Sequence, residues 1–147
     1  GCMRFADFQE GQTIEAGQTT LGEQEIIEFA RQYDPQWFHT DAQAARDGPF
    51  GGLIASGWQT TLVAMQLFVA RVLHGSEALA SPGINYIKWP APVRPGDTLR
   101  LRVEVIEARR SRSNPQRGVL RARWRLANQQ DVEVLDLEAT TLFGLKD

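Results

Sequence analysis

Along this chain the apolar positions follow one rhythm before Gly75 and another after it. Ile26, Ile27, Ala30 and Tyr33 recur at helical spacing, and Thr20 followed three residues later by Glu23 predicts a capping box at the helix start. Pro35 disfavours helical backbone at the residue before it, so Asp34 should mark the helix end, with His39 in a loop or short turn beyond. After the Gly/Pro-rich segment Gly48-Pro49-Phe50-Gly51-Gly52, a run from Ser56 to Leu73 is apolar nearly all round, which predicts a buried helix about 25 Å long, ended by Gly75.

Beyond Gly75 the period falls to two. Ile84 to Trp89 reads as a strand and Pro90 to Gly96 as a connection. Leu99, Leu101, Val103 and Val105 alternate with Arg100, Arg102 and Glu104, and Leu120, Ala122, Trp124 and Leu126 alternate with Arg121, Arg123 and Arg125. One wet face and one apolar face mean antiparallel sheet. Asn128 to Asp131 reads as a turn into a last strand, Val132 to Phe143, and a first strand is expected around Thr13 to Thr19. The fold class is therefore α+β, a curved antiparallel sheet wrapped around one long central helix.

At 147 residues the chain holds one domain with a core of its own, and it needs no disulfide or metal staple. Its one cysteine, Cys2, fits a reducing compartment and excludes disulfide frameworks and thiolate metal sites. Residues 1–10 lack both the basic start and the apolar block of a signal peptide and read as a flexible or tag-derived leader. No apolar stretch is long enough for a membrane span, since Leu62 to Leu73 is interrupted by Gln66 and Arg71. A cytoplasmic protein with no membrane partner is expected. The net charge of −2 also argues against nucleic acid as a partner. Even so, nine of the 16 cationic residues, Arg100, Arg102, Arg109, Arg110, Arg112, Arg117, Arg121, Arg123 and Arg125, crowd the strand region. They read either as a solvated sheet face or as an attraction for anionic groups.

Imidazole chemistry has two candidates. His74 sits beside Gly75 at a helix end, where a histidine commonly complements the terminal carbonyls. His39 follows Asp34 by five residues across a proline bend that can aim both side chains into one cavity. Alternatively Asp34 merely ends the helix while His39 fills a turn. Phe50, Leu53, Ile54 and Trp58 flank the start of the long helix and read either as core or as the lining of an apolar pocket. Ser56 stands where a helix cap stands by default.

The stretch Tyr33-Asp34-Pro35-Gln36-Trp37-Phe38-His39-Thr40-Asp41, with Ala44-Ala45 and Phe50-Gly51-Gly52-Leu53-Ile54-Ala55-Ser56-Gly57, resembles the MaoC-like hydratase/dehydratase family, whose fold is the hot-dog fold. Pro92-Val93-Arg94-Pro95-Gly96-Asp97 resembles the connection into the long strands of hot-dog proteins. Tyr33, Gln36 and Trp37 stand where the family's commonest pattern has glycine, asparagine and proline, and Ser56 where many members have histidine.

The resemblance implies an (R)-specific 2-enoyl-thioester hydratase or 3-hydroxyacyl-thioester dehydratase working without cofactor or metal. Asp34 and His39 would be the catalytic pair, and the Gly57 amide would face the thioester oxygen. Acyl-CoA or an acyl-carrier-protein thioester would be the substrate, bound near Ser56, Phe50, Leu53, Ile54 and Trp58. It further implies a homodimer with paired long helices. A hot-dog thioesterase would place a carboxylate on or just before the central helix, and Ser56 to Leu73 contains none. A noncatalytic acyl-CoA-binding protein would need the cavity without the pair.

Overall fold

The computed structural model describes residues 3–146. Five strands, β1 (Thr13–Leu21), β2 (Gly83–Lys88), β3 (Asp97–Arg110), β4 (Arg117–Ala127) and β5 (Glu133–Gly144), form one antiparallel sheet in the order β1-β3-β4-β5-β2. Before β2 come the helices α1 (Glu23–Tyr33), α2 (Trp37–Thr40), α3 (Ala42–Arg46) and α4 (Gly57–Phe68). This is the hot-dog arrangement, with α4 lying in the curve of the sheet.

Alternation decides which side of each strand faces α4. Leu99, Leu101, Val103 and Val105 of β3, Leu120, Ala122, Trp124 and Leu126 of β4, and Leu135, Leu137, Ala139 and Phe143 of β5 are all buried. They meet Val63, Ala64, Leu67 and Phe68 of α4, where Phe68 packs on Trp124 with ring centroids 4.3 Å apart. A bulge between Glu15 and Gln18, at Gly17 with φ +86°, helps β1 bend around the helix end.

Several expectations are corrected. No capping box forms at Thr20; α1 begins after Gly22, whose N–H donates to Glu25 Oε1 at 3.0 Å. Thr20 is held in β1, because strand pairing continues to Leu21 and Asp97 and its hydroxyl meets that of Thr98 at 2.8 Å. The long helix keeps α geometry only to Phe68 and closes in a π turn, Val69–Leu73, with His74 exposed at its end and Gly75 at φ +79°. Nor is it buried all round. The sheet covers one side, and Trp58, Leu62, Met65 and Val69 remain exposed as a stripe on the other. Gly1 and Cys2 lie outside the described residues, but the leader is otherwise packed rather than free: Phe5–Asp7 form a helical turn and buried Phe8 meets Phe143.

The outer face of the sheet accounts for most of the arginine excess. Arg100, Arg102, Arg109, Arg121, Arg123 and Arg125 each reach a carboxylate, those of Asp131, Glu15, Glu107, Glu138, Asp136 and Glu133 respectively. The solvated-face reading therefore holds for these six. The Arg123–Asp136 pair is bidentate at 2.9 and 2.8 Å, and the Tyr86 hydroxyl donates to the same carboxylate. The Arg123 guanidinium, with Tyr86, outweighs burial and holds the Asp136 carboxyl below the usual carboxylate range. A group depressed in this way adds stability that is present above the unfolded value near pH 4 and is lost as pH falls through the folded value. Asp136→Asn should therefore lower stability by about 2 kcal/mol at pH 7. In thermal melts the gap between variant and parent should close as the pH falls below about 4. A gap that does not change with pH would mean that the carboxylate's charge is not what matters there.

Candidate active site

Three short segments converge where α1 ends and α4 begins. Asp34 caps the end of α1, its N–H donating to Ala30 O at 2.9 Å, and Pro35 then turns the chain away. α2 carries His39, whose ring is buried. Ile54 locks that ring in place: its N–H donates to Phe38 O at 3.2 Å, and its carbonyl accepts from His39 Nδ1 at 2.7 Å. Ala55 N–H donates in turn to Val93 O at 2.9 Å, tying this segment to the β2–β3 connection.

Because the Ile54 carbonyl can only accept, His39 Nδ1 carries a proton, and Nε2 is the ring position left to exchange one. It faces Asp34 Oδ2 at 3.3 Å. The carboxylate has its own donors, Ser56 Oγ on Oδ2 and Gln36 Nε2 on Oδ1, each at 2.7 Å. Burial would raise the Asp34 carboxyl, but these two hydrogen bonds and the facing imidazole outweigh it and hold the group below its ordinary value.

Ser56 accepts from Trp58 N–H at 3.3 Å and so caps α4 while donating to Asp34. Gly57 is the first residue of α4, and among the described residues no acceptor takes its N–H. The ring of Trp89 lies against its Cα, where an added Cβ would come within 2.6 Å of the indole. Trp89 is fixed there by Nε1–H donating to Thr61 Oγ1 at 3.1 Å and by an edge contact with Trp58.

Beside these groups lies a largely apolar cavity of about 280 Å³. Of the expected site residues His39, Phe50, Ile54 and Gly57 line it, whereas Asp34 and Ser56 do not. Leu53 does not, being buried in the core, and Trp58 stands behind Trp89 on the exposed side. The opposite wall, Trp89 to Val93, and the floor residues Thr60 and Val134 were missed. In the sequence Pro90 to Gly96 signals only a connection, and Val134 only a strand.

A family model described as MaoC like domain matches residues 6–123. The chain belongs to the MaoC-like family. It is 31% identical over 140 residues to the uncharacterized protein YdeM of Bacillus subtilis, covering 95% of this chain and 98% of that protein. The crystal structure of the MaoC-like dehydratase from Rhodospirillum rubrum superposes with a TM-score of 0.88 at 32% identity, covering 97% of each chain. The 3-hydroxyacyl-thioester dehydratase Z of Mycobacterium tuberculosis is 34% identical over 83 residues, 55% of each protein.

In this MaoC-like domain Ser56 has two jobs on one oxygen. Ser56→Ala should cost about 1 kcal/mol through the lost cap. It should also raise the Asp34 carboxyl pKa, because the donor that favours the charged form is gone. Thermal denaturation and an NMR titration of the Asp34 carboxyl read the two effects separately. An unmoved titration would show that Ser56 acts as a cap alone.

Proposed function

We propose that this MaoC-like chain is an (R)-specific 2-enoyl-thioester hydratase, acting equally as a 3-hydroxyacyl-thioester dehydratase. The carrying observation is that Nε2 of His39, whose Nδ1 proton is held by the Ile54 carbonyl, lies 3.3 Å from Oδ2 of Asp34 while the imidazole lines an apolar cavity. With Nε2 unprotonated, the pair can hold one water and leave an oxygen lone pair free toward the substrate. As that oxygen adds to C3 of the enoyl group, its proton passes to the Asp34/His39 pair. Electron density moves through C2 to the thioester oxygen, where the Gly57 amide at the α4 N-terminus meets it. Return of the proton to C2 completes the addition, and dehydration is the reverse. Phe50 and Ile54 contact the acyl portion, and the carrier, coenzyme A or an acyl carrier protein, stays outside. The M. tuberculosis relative, a 3-hydroxyacyl-thioester dehydratase by name, supports the same reaction class.

The measurement is loss of the conjugated absorbance of an enoyl-thioester panel, with the stereochemistry of the product determined. Asp34→Asn and His39→Ala should each lower kcat about a hundredfold or more, and the double variant should be little worse than the worse single. Melting curves should show all three folded. Near-normal kcat in either single variant overturns that residue's role.

A second copy of the chain completes this reading. The exposed Trp58, Leu62 and Met65 of α4 and Val69 of the π turn that follows keep a four-three-four spacing, the seam of a helix that packs against another. Strand β2 is an edge of the sheet with one side unpaired among the described residues, and it carries exposed Ile84. Sedimentation equilibrium should give twice the 16.5 kDa chain mass. Leu62→Asp should shift the protein toward monomer at micromolar concentration. A monomeric parent protein would overturn the pairing.

A further inference from the structure

Six sheet arginines are neutralised on the outer face, but one cation stands at the cavity rim with no such partner. Arg94 follows Val93 of the cavity wall, is exposed, and donates from Nη2 to the carbonyl of Phe50, a rim residue, at 2.6 Å. Among the described residues no carboxylate lies within ion-pair reach of its guanidinium. The nearby carboxylate of Asp97 is occupied otherwise, accepting the Arg94 backbone N–H at 2.9 Å and the Gln129 amide at 2.9 Å. That turn, closed by Gly96 at φ +88°, fixes the main chain of Arg94 and leaves its side chain for the rim. Lys88, on β2 before the wall, is not among the residues that line the cavity, and its ammonium lies 5.2 Å from the Tyr86 ring centroid.

A guanidinium held only by one neutral carbonyl keeps most of its N–H donors open. A phosphate offers it a charge-assisted, bidentate partner, which is the stronger contact. The backbone around Phe50 can follow such an exchange, since Gly51 and Gly52 have φ of +68° and +153° with no side chain to hinder them. We propose that Arg94 is the recognition residue for the phosphate of a phosphopantetheine arm, exchanging the Phe50 carbonyl for that phosphate when a thioester substrate occupies the cavity. This rests on the thioester reading above and adds the residue that tells a phosphorylated carrier arm from an unphosphorylated one.

The test compares three 2-butenoyl thioesters that differ only beyond the sulfur arm: pantetheine, phosphopantetheine and coenzyme A. In the parent enzyme kcat/KM should be about tenfold higher for phosphopantetheine than for pantetheine. Arg94→Ala should abolish that ratio through KM, Arg94→Lys should restore part of it, and added salt should erode it in the parent only. A further gain with coenzyme A assigns extra recognition to its nucleotide, while equal values place recognition on the arm phosphate that carrier proteins share. Equal losses on phosphopantetheine and pantetheine in Arg94→Ala would overturn the proposal and leave Arg94 as a clamp on the Phe50 loop. Should none of the thioesters be hydrated, the hydratase reading fails by itself. Calorimetric binding of coenzyme A against pantetheine then decides the role of Arg94, which is overturned if the parent protein binds both alike.

Discussion

Everything at the candidate site depends on the hydrogen bond from His39 Nδ1 to the Ile54 carbonyl. A buried imidazole with a free choice of tautomer could present either a donor or an acceptor to Asp34. The carbonyl removes that choice, because an oxygen can only accept, so the Nδ1 proton stays in place and any proton the ring gains or loses is at Nε2, facing the carboxylate. The same Ile54 backbone bonds to Phe38, and Ala55 bonds to Val93, so the segment that fixes the tautomer also fixes the cavity wall and leads into α4. Tautomer, wall and helix N-terminus are set by four consecutive residues, Ile54 to Gly57.

Electrostatics divide the molecule by the two faces of its sheet. On the outer face guanidinium and carboxylate side chains interleave across β1, β3, β4 and β5, with Arg123 bidentate on Asp136. Partnered in this way, they leave little net field to draw an anion toward that face. Around the cavity the polar groups are few, and each has a specific neighbour: Ser56 and Gln36 on Asp34, Ile54 on His39, Thr61 on Trp89. A small number of directed dipoles in apolar surroundings acts more strongly than the same number in water.

The departures from the commonest family pattern can be read in the same terms. Gln36, in the place of asparagine, donates to Asp34 Oδ1, so the position still supplies an amide to the carboxylate. Trp37 and Phe38 pack edge to face, and Phe38 in turn packs on His39 and Phe50. The aromatic residues after Pro35 thus brace the imidazole and the cavity rim together.

The sequence alone determined the elements, because period two and helical spacing are local consequences of which face must leave water. It also marked Asp34 as a helix end, through Pro35, and singled out His39 and Gly57. It could not determine where a strand yields to a helix, so the cap moved from Thr20 to Gly22 once β1 was seen to pair as far as Leu21. Nor could it tell that α4 is covered on one side only, since burial depends on how much sheet there is to wrap it. Leu53 and Ile54 are neighbours with the same apolar character, yet one is core and the other lines the cavity. Only the tertiary structure decided the donors on Asp34, the His39 tautomer, the Trp89 wall and the unpaired Arg94. The Ser56, Ile54 and Thr61 contacts join residues far apart in the chain, and local pattern carries no information about which distant groups a fold will bring within hydrogen-bonding distance.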